Sequence, residues 1–107
     1  TQPLTASPNA FFGPSVRITN LTANQAFATT SSVVIQAEAL GNGENITEVQ
    51  FFANGTLIGS DQYFPYAFWW DFPTLGNVEI FAKVLTAQGN SATSAKISIQ
   101  VNEPSSI

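Results

Sequence analysis

The chain has 107 residues, a length that fits one domain able to bury a core without disulfides or metals. It contains no Cys and no His, which excludes thiolate chemistry and removes the commonest general base and the commonest zinc ligand. The net charge of −4 excludes the basic surface that nucleic-acid binding requires, and no apolar run is long enough for membrane insertion.

Two segments flank the expected domain. Residues 1–14 contain three prolines and the pair Phe11-Phe12 without sustained alternation, which predicts an extended N-terminal arm or linker. Apolar and polar residues alternate beyond it, and we expect one β-sandwich over residues 15–102, with a C-terminal tail at 103–107.

The first half of the domain contains two alternating segments. A short strand is predicted at residues 16–18, followed by a loop over residues 20–26. Residues 32–39 predict a longer strand, with Val33 and Ile35 on its buried face.

The clearest local signal is Asn54-Gly55 between two apolar runs, because this pair favours the tight turn of an antiparallel hairpin. A type I′ turn needs positive φ at both central residues, which Asn tolerates and Gly adopts freely. The sequence therefore predicts a hairpin of residues 46–53 and 56–59.

Further strands follow at the same spacing. Tyr66, Phe68 and Trp70 share the predicted buried face of one strand, which leaves Trp69 on the opposite face. The remaining strands are predicted at residues 78–85 and 97–101. About seven strands with no helix-period segment predict an all-β sandwich.

Three motifs occur in order: VQFFANGTLIG at 49–59, PYAFWW at 65–70, and a segment from Gly76 to Asn90. With them, residues 14–101 resemble the bacterial immunoglobulin-like domains that occur in tandem in secreted glycoside hydrolases and cell-surface proteins. The resemblance implies an immunoglobulin-like Greek-key β-sandwich, extracellular or cell-surface placement, and a structural or interaction role. It implies no enzyme activity and no cofactor.

Two loops depart from the family pattern. Family members usually carry an acidic residue where this chain has Thr86, and another where Leu40-Gly41 follows the second strand. Because calcium prefers several carboxylate oxygens, we expect no metal site in these loops.

Large apolar side chains occupy outward positions on both sheets. The family fills four of these positions with small or polar residues, whereas Phe52 is often aromatic in the family. Three of these side chains form one patch if the strands at 46–53 and 78–85 are neighbours, and such a patch usually marks an interface. Either the arm of the same chain, or another copy or neighbouring domain, is expected to cover it; head-to-tail docking of the arm would build a filament. The predicted interaction surface comprises Phe52, Phe81 and Leu85, with Trp69 and Phe72 on the other sheet and Phe11 and Phe12 in the arm.

The alternative hypothesis is a carbohydrate-binding module of a secreted enzyme, with a polysaccharide as partner. Exposed aromatic rings can stack on sugars while nearby carboxylates bind hydroxyl groups. The candidate residues are Trp69, Phe72, Tyr63 and Phe64, with Asp61 and Asp71. A catalytic role for the two aspartates is not expected, since paired glycosidase carboxylates need a cleft that nothing in the sequence predicts.

Three Asn-x-Ser/Thr sequons begin at Asn20, Asn45 and Asn54, and they are possible glycosylation sites. Their number is no larger than the Asn, Ser and Thr content gives by chance. All three lie in or near predicted turns.

Overall fold

The protein is a sandwich of two β-sheets, and the computed structural model describes residues 13–28, 32–71 and 75–103. One sheet, the small sheet, has the order β1-β3-β6, and the large sheet has the order β2-β9-β7-β4-β5 with β8 also paired to β7. The strands are β1 (Ser15–Ile18), β2 (Ala26–Ala28), β3 (Val33–Leu40), β4 (Ile46–Ala53), β5 (Thr56–Asp61), β6 (Tyr66–Trp70), β7 (Gly76–Thr86), β8 (Ser91–Thr93) and β9 (Ile97–Asn102). The predicted all-β immunoglobulin-like sandwich is confirmed, and the described part of the chain includes no helix able to cross a membrane.

The core lies between the two sheets and follows the alternation in the sequence. In the small sheet, Val33 and Ile35 are fully buried, as predicted. In the large sheet, β7 buries every second residue from Val78 to Thr86, because successive side chains of a strand point to opposite faces. Phe51 is the largest fully buried side chain of this core.

The hairpin at Asn54-Gly55 forms as predicted. Asn54 has φ 51° and Gly55 has φ 82°, and both residues are in the left-handed region that a type I′ turn requires. The Asn54 side chain has a second role: its Oδ1 accepts a hydrogen bond from Glu79 N at 3.0 Å. The turn between β4 and β5 is thereby attached to β7.

The last predicted strand, at residues 97–101, forms as β9, and an unpredicted short strand, β8, precedes it; the two strands pair with successive parts of β7. Ser94 fills the gap between them. Its backbone N donates to Ala82 O at 2.8 Å, and its Oγ accepts from Ala82 N at 2.9 Å. The side chain of Ser94 thus completes the hydrogen bonding of β7 where the strand is interrupted.

The loop predicted at residues 20–26 ends one residue earlier than expected, because β2, which was not predicted, begins at Ala26. β2 pairs in parallel with β9, and Gln100 N donates to Gln25 O at 2.8 Å. With the unpredicted β2 and β8, the described residues form nine strands where about seven were predicted. A three-residue parallel strand is too short to show alternation in the sequence.

The predicted arm and tail lie mostly outside the described residues, since the structure describes only Gly13 and Pro14 of the arm and Glu103 of the tail. Gly13 and Pro14 are buried. Asn42 Nδ2 donates to Gly13 O at 2.6 Å, which fixes the point where the arm meets the sandwich.

Candidate functional site

Trp69 lies on the outer face of the small sheet. It is 67% exposed, whereas the adjacent Trp70 is 9% exposed and belongs to the core. In the register of β6 with β3, Trp69 lies opposite Val34, and Ala67 lies opposite Gln36. The two tryptophans therefore face opposite directions, as the alternation predicts.

An open groove of about 370 Å³ lies between β3 and the loop that leads into β6, and Trp69 is not one of its lining residues. Ala67, two residues before Trp69 on the same face, forms part of its wall. Phe64 stands at the rim with 83% of its surface exposed. The residues that line the groove include Arg17, Thr19, Gln36, Glu38, Phe64 and Ala67.

The loop that carries Tyr63 and Phe64 is held by one carboxylate. Asp61 Oδ1 accepts a hydrogen bond from Tyr63 N at 3.1 Å, and Asp61 Oδ2 accepts one from Ala67 N at 3.0 Å. The ring of Phe64 packs edge-on against Tyr66, with centroids 6.3 Å apart. The loop that carries these exposed rings is thus attached to Asp61 at the end of β5 and to Ala67 in β6.

The opposite wall of the groove is polar. Arg17 Nε donates to Glu38 Oε1 at 2.7 Å, and both side chains are largely solvent-exposed. An exposed ion pair contributes about 1 kcal/mol at most to stability. The pair places a cationic hydrogen-bond donor and an anionic acceptor side by side in the wall of the groove, and their two charges nearly cancel.

Asn20 extends the small sheet where β1 ends. Its Nδ2 donates to Val34 O at 2.7 Å, and its Oδ1 accepts from Gln36 N at 2.8 Å. The side chain therefore replaces a strand residue in the ladder next to β3. A glycan on this Nδ2 would compete with that hydrogen bond.

The outer face of the large sheet carries a stacked pair of aromatic rings. Phe52 and Phe81 are opposite each other in the register of β4 with β7, with centroids 4.7 Å apart and planes 3° from parallel. Lys96 Nζ lies 5.9 Å from the Phe81 centroid. Both rings are half-buried, because each covers the other.

Leu85 lies on this same outer face but does not continue the pair. Lys83 stands between Phe81 and Leu85 along β7, opposite Gln50, and Leu85 itself lies opposite Glu48. The three residues thus comprise one stacked aromatic pair and a leucine separated from it by Lys83, and their role as one interaction surface stays a prediction. Phe11, Phe12 and Phe72, the other predicted members of the interaction surface, lie outside the described residues.

The model of a family described as the bacterial Ig domain matches residues 14–99. The chain belongs to the bacterial Ig domain family. None of the curated proteins matches the chain.

Solved structures of known proteins share the fold of this bacterial Ig domain. The fibronectin(III)-like modules of Clostridium thermocellum CbhA have a TM-score of 0.78 and 22% identity, over 85% of this chain and 99% of that one. The titin M3 domain has a TM-score of 0.51 and 14% identity, over 82% of this chain and 97% of that one. An engineered protein has a TM-score of 0.59 and 17% identity, over 82% of this chain and 20% of that one. At such identities the likeness concerns the fold alone.

The bacterial Ig domain uses Thr86 as a structural residue. Thr86 is buried, and its Oγ1 donates to Glu44 Oε1 at 2.7 Å. Asn90 Nδ2 donates to Glu44 Oε2 at 2.9 Å. Glu44 thus connects the loop after β3 to the turn after β7. Among the described residues there is no group of three or more potential metal ligands.

Asp61 and Asp71 both accept hydrogen bonds within this bacterial Ig domain. Asp61 accepts from two backbone N–H groups of its own loop. Asp71 Oδ1 accepts a hydrogen bond from Ser32 Oγ. Asp61 therefore has a structural role in the loop before β6, and its role in sugar binding stays a prediction.

The sequence prediction missed the polar wall of the groove. Arg17 and Glu38 are opposite each other in the register of β1 with β3, and Gln36 follows on the same face. Their outward positions are visible in the alternation of the two strands. Their proximity to Phe64 is not, because it depends on how the loop before β6 folds. Of the other two sequons, Asn45 and Asn54 are both exposed.

Proposed function

We propose that this bacterial Ig domain is an extracellular, non-catalytic structural and interaction module whose contact surface is the outer face of the small sheet. The observation that carries the proposal is Trp69, which is 67% exposed and lies on the same outer face as Ala67, a wall residue of a groove of about 370 Å³. Trp is a large amphipathic side chain that is usually buried, and exposed aromatic clusters mark contact sites.

Family membership supports the extracellular placement and the structural role. The absence of His and Cys from the sequence, and the structural hydrogen bonds of Asp61, support a function without catalysis. The fully buried core residues of both sheets point inward. The side chains on the outer face of the small sheet are therefore free to contact a ligand without disturbing the core.

Retention on two supports tests the proposal. The domain is passed over beads that carry its own copies and over an insoluble neutral polysaccharide, and Trp69→Ser is compared with Leu57→Ser, an exposed apolar residue of the other sheet. We expect retention on one support, weakened by Trp69→Ser and not by Leu57→Ser. Equal retention of the two variants, or release of soluble sugar from the polysaccharide, would contradict the proposal.

A second candidate function is packing between copies or neighbouring domains through Phe52, Phe81 and Leu85. The stacked pair of Phe52 and Phe81 favours it, because two aromatic rings on an outer strand face are suited to an interface. The separation of Leu85 from the pair limits this surface to a small area. The small sheet therefore remains the first candidate.

A further inference from the structure

We infer that the outer face of the small sheet binds a segment of a neutral polysaccharide, with one sugar ring stacked on the exposed indole of Trp69 and the next rings in the groove that Ala67 lines. This inference rests on the proposed function and names the ligand class of the same face.

The size of the groove fits a chain of small units better than a protein surface. Its volume of about 370 Å³ is within the range of about 300–1,000 Å³ that small-ligand sites have. A stable protein–protein contact takes about 800 Å² from each partner, which needs a broad face. A linear polymer of small rings can occupy a narrow groove and continue past both of its ends.

The charge of the groove favours a neutral ligand. Arg17 and Glu38 are paired at 2.7 Å, so their charges largely cancel within the wall. The whole chain has a net charge of −4, which disfavours polyanions. A polysaccharide that carries carboxylates or sulfates is therefore a poorer match than an uncharged one.

The polar wall offers hydrogen bonds of the kind that hydroxyl groups need. Arg17 uses Nε for the bond to Glu38, which leaves the terminal N–H groups of its guanidinium facing solvent, and Glu38 keeps Oε2 as a further acceptor. The Gln36 amide is both donor and acceptor and has no side-chain partner within the described ranges. A sugar hydroxyl is likewise donor and acceptor, so these groups match it in both senses.

The aromatic groups are placed to take the apolar faces of sugar rings. Trp69 lies about 7 Å beyond Ala67 along β6, since alternate residues of a strand are spaced by twice its rise. Phe64 lies on the other side of Ala67, at the rim of the groove. A pyranose ring has a face of C–H groups, and stacking that face on an indole removes apolar surface from water on both partners.

Both walls are held before any ligand arrives. Asp61 fixes the loop of Phe64 through two hydrogen bonds, and Asn20 fixes β3 beside Gln36. A preorganised site loses less conformational entropy on binding.

The test is a titration followed by nuclear magnetic resonance. The ¹⁵N-labelled domain is titrated with cellohexaose, xylohexaose, mannohexaose and maltohexaose, and with oligogalacturonate as the anionic control. The indole N–H signal of Trp69 is assigned with the variant Trp69→Phe. We expect one of the neutral hexasaccharides to shift this signal and those of Gln36 and Ala67, with an affinity of roughly millimolar Kd.

Two variants complete the test. Trp69→Ala is expected to weaken binding about tenfold or more, because the stacking surface is lost, while Leu57→Ser leaves the affinity unchanged. Gln36→Ala is expected to weaken binding without a change in the fold. No shift with any neutral sugar, or equal binding by Trp69→Ala, overturns the polysaccharide inference.

The failure of this inference and the failure of the proposed function give different results. If no sugar binds but retention on beads of the domain's own copies depends on Trp69, the contact face stands and its ligand is a protein. If neither ligand contacts Trp69, both proposals are wrong.

Discussion

Trp69 and Trp70 are adjacent in the chain and have opposite environments. Trp70 is 9% exposed and packs in the core, whereas Trp69 is 67% exposed. We expect Trp70→Ala to lower the free energy of unfolding by about 3–5 kcal/mol, because it leaves a cavity in the core. Trp69→Ala should lower it by less than about 1 kcal/mol. Urea denaturation measures both, and equal losses would contradict the assignment of the two faces.

Gly55 has φ +82° in the turn between β4 and β5, with no atom near the place of an added Cβ. A substitution there is limited by the backbone and not by space. We expect Gly55→Val to lower the free energy of unfolding by about 1–3 kcal/mol, since β-branched residues are strained at positive φ. Gly55→Asn is the matched control and should cost less, because Asn tolerates this region. A melting temperature that is the same for Val and Asn would show that the turn conformation is not required.

At the scale of elements, Thr86 and Glu44 connect two loops at one end of the sandwich. Thr86→Val keeps the size of the buried side chain and removes the hydroxyl that bonds Glu44 and Asn90. We expect a loss of about 1–3 kcal/mol, because polar groups that were paired in a partly buried site become unpaired. Thr47→Val is a control at an exposed threonine whose hydroxyl donates to Leu85 O. Hydrogen exchange in residues 41–45 should become faster in Thr86→Val alone; unchanged exchange there would show that the connection is unimportant.

Much of this arrangement follows from patterns in the sequence. The alternation in β3, β4 and β7 predicts which side chains enter the core, and Asn54-Gly55 predicts the hairpin, because each is decided by neighbours along the chain. The strands β2 and β8 have three residues each, too few for an alternating pattern to reveal them in the sequence. The groove is formed by β1, β3 and the loop before β6, which are far apart in sequence. The alternation in each strand shows that the strand residues lining the groove point outward, but it does not show that they lie close to the loop before β6.

At the scale of the whole molecule, the two sheets present different outer faces. The large sheet carries the stacked pair of Phe52 and Phe81, and Phe81→Asp tests whether copies associate through it. If this face is an interface, the variant stays folded and sedimentation loses a concentration-dependent species that the wild type shows. The buried charge would oppose association. A wild type that is monomeric at every concentration would end this second candidate function.

The central claim is that the outer face of the small sheet is the contact surface, whatever its ligand. The most direct measurement is acrylamide quenching of Trp69 fluorescence in the variant Trp70→Phe, free and then retained on the support that holds the domain. We predict strong quenching of Trp69 in the free domain and clear protection of Trp69 in the retained one, while Trp70, measured in the free variant Trp69→Phe, is shielded from acrylamide. Equal quenching of Trp69 before and after retention would contradict the account, because the retained domain would then be held by another surface.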